Sequence, residues 1–179
     1  MRLNKATMKK TISNIKIILF VLLLTHTNYA MAQIALKSSD LSLLVGNWQG
    51  KLVYVDYGSN KVVTIPANVT IAQISETNNF TFLNSFPDEK NVVWTDTMAL
   101  AADGRSINNE TIVALKRNKK RQLCFVTEQM GKDGNENKPA KIRLTYTFSK
   151  NSYSLQKEVL FLGTNKWIKR HEYTYIREN

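Results

Sequence analysis

Aromatic and basic side chains alternate at the C-terminal end of the chain. A period of two is that of a β-strand, so alternate residues are expected to share one face. A guanidinium beside phenol hydroxyls binds a carboxylate well, because its N–H fork is bidentate and the phenols donate further hydrogen bonds. If this face points into an enclosed space, the pattern predicts a polar anchor for an amphipathic anion such as a fatty acid. The residues of this face are Trp167, Lys169, His171, Tyr173, Tyr175 and Arg177.

Three side chains, one of them on this face, have types that could carry further chemistry. His171 could ligate haem axially, with Tyr173 or Tyr175 nearby, or be a hydrogen-bonded structural residue. Asp56 and Asp96 stand in apolar strands, and two inward carboxylates could do acid–base work if they met across a lumen. Otherwise they lie at a rim or pair with cations. We find no pattern of nucleophile with base and no metal-ligand spacing, so the sequence predicts a protein that is not an enzyme and uses no cofactor.

The elements that must position these residues are β-strands. Nine strand candidates, from Trp48–Tyr57 to Trp167–Arg177 and including Ile107–Lys116, follow one another with short turns rich in Gly, Asn and Asp. Such spacing predicts an antiparallel meander, which hides its edges by curling shut. The predicted fold is therefore all-β, a closed barrel of about 8–10 strands after a short helical turn at Leu41–Leu44. A barrel of this size encloses either side chains or one small ligand.

The alternation also predicts which side chains face the interior. Trp48, between Gly46 and Gly50, is expected to seal the floor, because its ring is large and its indole N–H can still reach a carbonyl. Arg177 either joins Tyr173 and Tyr175 as the anchor or covers Trp48 by a cation–π contact. The full set of predicted ligand-binding residues is Trp48, Tyr54, Phe80, Phe82, Trp94, Met98, Phe125, Tyr146, Phe148, Tyr173, Tyr175 and Arg177.

The first 32 residues have the pattern of a signal peptide. Residues 1–16 are basic without an acid, Ile17–Leu24 is apolar, and Ala30 and Ala32 mark the cleavage region. The apolar run is too short to span a bilayer, so we expect no stable membrane insertion after cleavage. The sequence thus predicts residues 33–179 as a single secreted or periplasmic domain. Without the five basic residues of the leader the formal charge falls from +11 to +6, which does not indicate a nucleic-acid partner.

The order of these features resembles the calycin group, which comprises lipocalins, fatty-acid-binding proteins and lipocalin-like bacterial domains of unassigned function. The resemblance rests on the helical turn, Gly46-x-Trp48 on the first strand, and the basic-aromatic last strand. In lipocalins a basic side chain of the last strand covers this Trp, a role that Arg177 or Arg170 would take here. The Gly46-x-Trp48-x-Gly50 form is also similar to nitrobindin-like haem barrels, with Leu52 where a further glycine is expected.

Composition, alternation and resemblance together predict an exported barrel that binds a small apolar or amphipathic anionic ligand in its lumen. The first alternative is a module with a side-chain-filled barrel that binds a protein partner. The second is a haem-binding or weakly enzymatic barrel that uses His171.

Overall fold

The computed structural model describes residues 35–89, 91–118 and 122–178, so the predicted signal peptide lies outside the described residues. The described residues belong to one compact unit and are almost entirely β-structure. The elements are α1 (Ser38–Leu41), a 3-10 turn (Ser42–Leu44), β1 (Gly46–Val55), β2 (Val62–Gln73), β3 (Asn79–Ser85), β4 (Val93–Ala99), β5 (Ser106–Ile107), β6 (Glu110–Arg117), β7 (Leu123–Asp133), β8 (Lys138–Phe148), β9 (Ser152–Phe161) and β10 (Ile168–Arg177).

All ten strands form a single antiparallel sheet in which chain neighbours are sheet neighbours. The order is β4-β3-β2-β1-β10-β9-β8-β7-β6-β5, so the first and last strands pair. Their register runs from Trp48 opposite Arg177 to Tyr54 opposite His171. Gly50 lies on this seam, where an added Cβ would stand 1.9 Å from the Thr174 carbonyl oxygen, so only glycine fits. The predicted meander, curled until its ends meet, is confirmed.

The barrel stays incompletely closed between β4 and the β5–β6 hairpin. At this place a single bridge joins Leu100 to Ile107. The Asn108 side chain adds two bonds, accepting from the Ala99 N–H at 2.8 Å and donating to the Thr97 carbonyl at 2.9 Å. Above these contacts no described strand pairs with the outer edge of β4. The result is a nearly closed barrel with a side opening.

Two local features differ from the predicted strands. The candidate Ile107–Lys116 is interrupted, because Asn108 and Asn109 both adopt positive φ (50° and 69°) and make a turn between β5 and β6. The helical turn begins earlier than predicted, at Ser38. There the Asp40 carboxylate accepts the Lys37 N–H at 2.8 Å and starts the helix before Leu41.

A register shift divides β10 between Lys169 and His171. On the C-terminal side of the shift, the predicted alternation holds and the inward residues are His171, Tyr173, Tyr175 and Arg177. On the N-terminal side the predicted face does not continue, because Lys169 forms an ion pair with the outward-facing Glu172. Trp167 also lies outside, against the Arg143 guanidinium, whose carbon is 3.9 Å from the ring centroid.

Candidate functional site

The floor of the barrel is a packed layer centred on Trp48. Its side chain is 1 % exposed, and its indole Nε1–H donates to the Leu44 carbonyl at 2.7 Å, which ties the ring to the 3-10 turn. Tyr153 packs edge-on against it, with ring centroids 6.0 Å apart. Trp48 thus occupies the position that the sequence predicts, at the closed end.

Arg177 lies on the other side of this indole. Its guanidinium carbon is 4.1 Å from the Trp48 ring centroid, within the range of a cation–π contact. It donates to three backbone carbonyls, those of Lys150 (2.5 Å), Val45 (2.7 Å) and Leu43 (2.6 Å). The structure therefore decides between the two roles left open by the sequence. Arg177, and not Arg170, covers Trp48, and its donors are engaged at the floor rather than in a ligand anchor.

An aromatic column rises from the floor along β9 and β10. Tyr153 stacks on Tyr175 (centroids 5.4 Å apart), Tyr175 on Tyr173 (5.9 Å), and His171 meets Tyr173 edge-on (5.5 Å). The column exists because β10 places alternate residues inward and β9 pairs Tyr153 directly with Tyr175. Burial is the first cause that raises the pKa of the Tyr153, Tyr173 and Tyr175 phenols. These hydroxyls therefore stay protonated at neutral pH.

Above the floor lies a cavity of about 260 Å³, which we call the lumen cavity. Half of the predicted ligand-binding residues line it, namely Phe82, Trp94, Met98, Tyr146, Tyr173 and Tyr175. Apart from Asp96, the sequence analysis left seven further lining residues out of the site: Val69, Asn84, Thr97, Asn108, Leu144, Tyr153 and Leu155. For Val69, Leu144, Tyr153 and Leu155 the signal was present, since each sits at an inward position of its strand.

Three of the predicted ligand-binding residues lie below the lumen cavity. Phe80, Phe125 and Phe148 are 0 % exposed and do not line the lumen cavity. Phe125 stacks on Tyr146 at 4.5 Å and meets Phe148 edge-on at 6.2 Å. These rings fill the lower barrel around Trp48, so they form the packed floor and not the wall of the cavity.

Asp96 is the charged residue that lines the lumen cavity. Its Oδ2 accepts from the Trp94 indole N–H at 2.9 Å and from the Asn84 side-chain amide at 3.1 Å. The side chain is exposed because β4 borders the side opening. The other carboxylate that the sequence singled out, Asp56, does not face it. Asp56 instead accepts the Ser59 N–H (2.7 Å) and hydroxyl (2.6 Å) in the β1–β2 turn.

A second cavity of about 310 Å³, the mouth cavity, shares Trp94 with the first. Tyr54 lines it as predicted, and Leu52, Ile65 and Phe86 form its apolar sides. His171 also faces it. Burial, followed by the charge of Lys157, lowers the pKa of His171 to about 4, against the opposing effect of Asp133. The imidazole is therefore neutral at physiological pH.

A buried ion cluster stands at the same end of the barrel. Asp133, 5 % exposed, accepts from Lys157 Nζ (2.7 Å), Arg170 Nε (2.7 Å) and the Tyr57 hydroxyl (2.9 Å). Burial alone would raise the pKa of Asp133, but these partners hold it below the usual range. Asp133 is the last residue of β7. The cluster depends on the register shift beside Arg170, which the sequence does not show.

In the part of the chain that the structure describes, no three or more His, Cys, Asp and Glu side chains form a group suited to a metal ion. None of the helices within residues 35–89, 91–118 and 122–178 is long and apolar enough to cross a membrane.

No family model matches the chain, and neither does any curated protein. Among solved structures the chain is similar to Rv2717c from M. tuberculosis, with a TM-score of 0.50 and 11% identity over 81% of this chain and 99% of that one. It is also similar to the S-type phycobiliprotein lyase CPES from Guillardia theta (TM-score 0.44, 10% identity, 79% and 92% coverage). A third is a protein of unknown function from the DUF3598 family of Nostoc punctiforme PCC 73102 (0.40, 12%, 82% and 51%). The first likeness shows a shared fold; membership of the calycin group stays a prediction.

The floor contacts of Arg177 predict a large stability effect. We expect Arg177→Met to lower the free energy of unfolding by about 2–4 kcal/mol, because it removes charge-assisted bonds to three carbonyls together with the cover of Trp48. Arg143→Met is the matched control, since Arg143 also lies over a Trp ring but forms only an outer ion pair with Glu128. Its expected loss is about 0–1 kcal/mol. Urea unfolding measures both, and equal losses would contradict the assigned role.

Proposed function

We propose that this protein binds a small molecule in its lumen cavity, and that the molecule enters through the mouth cavity or the side opening beside β4. The observation that carries the proposal is the lining of the lumen cavity. Aromatic rings and hydroxyl groups surround open space there, while the floor below is filled. A barrel used only as a rigid scaffold needs no such division.

The phenol groups show why the space is suited to a ligand. The hydroxyls of Tyr146, Tyr153, Tyr173 and Tyr175 form no hydrogen bond with any described residue, and all four side chains line the cavity. No fully buried side-chain polar atom of the described chain lacks a partner, so these hydroxyls reach the cavity surface. Polar groups at such a depth are normally hydrogen-bonded. A bound molecule that offers polar atoms at this level would satisfy them.

The rings also restrict the shape of the ligand. The stacked column of Tyr153, Tyr175 and Tyr173 forms one wall, and Phe82 with Trp94 contributes rings on β3 and β4. Such walls favour a compact body with a flat apolar surface, since aromatic faces gain most from stacking or edge contacts. Each lining phenol has a raised pKa and therefore stays protonated at neutral pH. A protonated phenol can form hydrogen bonds but cannot act as a base, which supports binding over catalysis. Together with the leader pattern, this supports the proposal of an exported binding protein.

A cavity-filling variant tests the proposal. The uncharged fluorophore 1-N-phenylnaphthylamine is expected to show a saturable rise in emission with the wild-type protein, as it does in apolar surroundings. Leu155→Trp fills the cavity from β9 and should abolish this rise, whereas Leu160→Trp, on the outer face of the same strand, should keep it. Circular dichroism melting checks that both variants fold.

Two results would count against the proposal. The absence of a response in the wild-type protein would favour the packed barrel that binds a protein partner. An equal response in Leu155→Trp and Leu160→Trp would place the dye outside the lumen.

A second candidate function rests on His171 alone. Its imidazole is neutral above a pKa of about 4 and faces the mouth cavity, whose lining includes the apolar side chains of Leu52 and Phe86. A neutral imidazole flanked by apolar surface is what an axial haem ligand requires. Bound there, haem would supply an iron centre. His171 would hold the iron, and Leu52 and Phe86 would contact the ring system.

A haemin titration tests this candidate. Relative to free haemin, a sharper Soret band at longer wavelength is expected with the wild-type protein and with Thr174→Ala, an outward residue of the same strand, but not with His171→Ala. An equal change of the band in His171→Ala, or no change with the wild-type protein, would remove haem from consideration.

A further inference from the structure

The lumen cavity has an uneven distribution of charge. Asp96 is the charged side chain among its lining residues, and a second carboxylate, Glu110, lies close behind. Burial, then the charge of Glu110, then that of Asp96 raise the pKa of the Tyr146 phenol. Both carboxylates therefore contribute negative potential at the cavity. Glu110 itself is engaged by the Thr127 hydroxyl (2.5 Å) and the Gln129 amide (2.7 Å).

The nearby cations do not neutralise this negative charge inside the cavity. Lys157 and Arg170 are both bonded to the buried Asp133 at the mouth end. Arg177 is bonded to three carbonyls at the floor. An anion in the lumen cavity would therefore meet the carboxylate of Asp96, and the described residues that line the cavity include no guanidinium or ammonium group to balance it.

Apart from hydroxyl groups, the side-chain groups that remain open in the lumen cavity are acceptors. Asp96 Oδ1 and Asn84 Oδ1 receive no hydrogen bond from any described residue, although the partner atoms Asp96 Oδ2 and Asn84 Nδ2 are bonded. The Asn108 side chain uses both its ends on the β4 backbone. Phenol oxygens accept as well as donate. The lumen cavity therefore suits a ligand that brings N–H donors.

Aromatic faces surround the same place. Trp94 holds the Asp96 carboxylate through its own N–H, and Phe82 pairs with Asp96 across β3 and β4. The faces of Trp, Tyr and Phe attract a cation within about 6 Å of the ring. A cation that binds a carboxylate beside several such faces gains a charge-assisted hydrogen bond and cation–π attraction together.

We propose that the ligand of the lumen cavity is a compact organic cation, a protonated amine on an aromatic or apolar body, whose ammonium group binds Asp96. This inference rests on the proposed function and replaces the anionic ligand that the sequence predicts. That expectation depended on Arg177 as an anchor, and Arg177 lies at the floor. The amine's ammonium donates to Asp96 Oδ1 and Asn84 Oδ1, while its body stacks against the tyrosine column.

Three probes with one aromatic body and different charge test the proposal. They are 2-phenylethylamine, 2-phenylethanol and phenylacetate, titrated calorimetrically into the full-length protein at pH 7. The amine is then protonated and the acid ionised. We expect the amine to bind at least about tenfold more tightly than the alcohol, because hydrogen bonds to charged groups are the stronger kind. Phenylacetate is expected to bind most weakly.

Asp96→Asn removes the charge and keeps the shape of the side chain. This variant should bring the affinity for the amine to within about twofold of that for the alcohol. Asp103→Asn is the matched control: Asp103 is exposed in the turn after β4 and accepts only the Arg105 N–H, so the tenfold preference should persist. An NMR spectrum gives a second readout in the wild-type protein. The amine should shift the Trp94 indole N–H signal and leave that of Trp48, which is bound to Leu44, in place.

The outcomes separate this proposal from the one on which it rests. If the alcohol binds as tightly as the amine, or phenylacetate binds best, the cavity binds ligands and the charge assignment is overturned. If Asp96→Asn keeps the preference for the amine, Asp96 is not its partner and the proposal fails. If none of the three probes binds, both proposals fail. A preference for the amine that is lost only in Asp96→Asn supports it.

Discussion

The pairing of the first strand with the last is the constraint on which the rest of the structure depends. It runs over seven residue pairs and sets Trp48 opposite Arg177 at one end and Tyr54 opposite His171 at the other. Closure of this seam hides two sheet edges that would otherwise expose unpaired N–H and C=O groups. It also brings a cation from the end of the domain over an indole from its beginning. Gly50 makes the close approach of the two strands possible.

From this seam the barrel divides into a filled and an open half. The lower half is closed by α1, the 3-10 turn and a layer of buried rings that includes Phe80, Phe125 and Phe148. The upper half is lined by side chains that do not meet across the lumen, and the weak contact of β4 with the β5–β6 hairpin leaves a side opening. The proposed binding function follows from this division, since the floor supplies rigidity and the upper half supplies polar atoms and space. The same opening exposes Asp96 to an incoming ligand.

Much of the fold could be predicted from the sequence because strand alternation is a local property. The inward positions of Phe82, Trp94 and Tyr175 follow from a period of two, and the Gly-x-Trp-x-Gly run marks the start of β1 with its buried indole. The height of each ring in the barrel could not be predicted. This height depends on the stagger between strands, which alternation does not fix. The sequence therefore predicts Phe125 as a ligand-binding residue, whereas the structure places it in the packed floor. The role of Arg177 depends on the same stagger.

The mouth was the least predictable part of the site. The register shift beside Arg170 turns this residue toward Asp133 and ends the alternation that includes Trp167 and Lys169. A bulge inserts one residue and re-aims its side chain, and nothing in the local sequence distinguishes it from a regular strand. The charge of the lumen could likewise not be read from β10, because the deciding carboxylate, Asp96, comes from the opposite side of the barrel.

Amide hydrogen exchange read residue by residue tests most directly whether the barrel closes through β1 and β10 and stays open beside β4. Asn108 bonds the backbone of Ala99 and Thr97 on the outer edge of β4. Because alternate residues of a strand direct their N–H groups to the same edge, the Val93 and Thr95 amides point toward the side opening. We expect the hydrogen-bonded amides of β1 and β10 to exchange only by global unfolding, and those of Val93 and Thr95 to exchange fast. Rapid exchange along β1 and β10, with protection of Val93 and Thr95, would mean that the sheet closes elsewhere and would contradict the account.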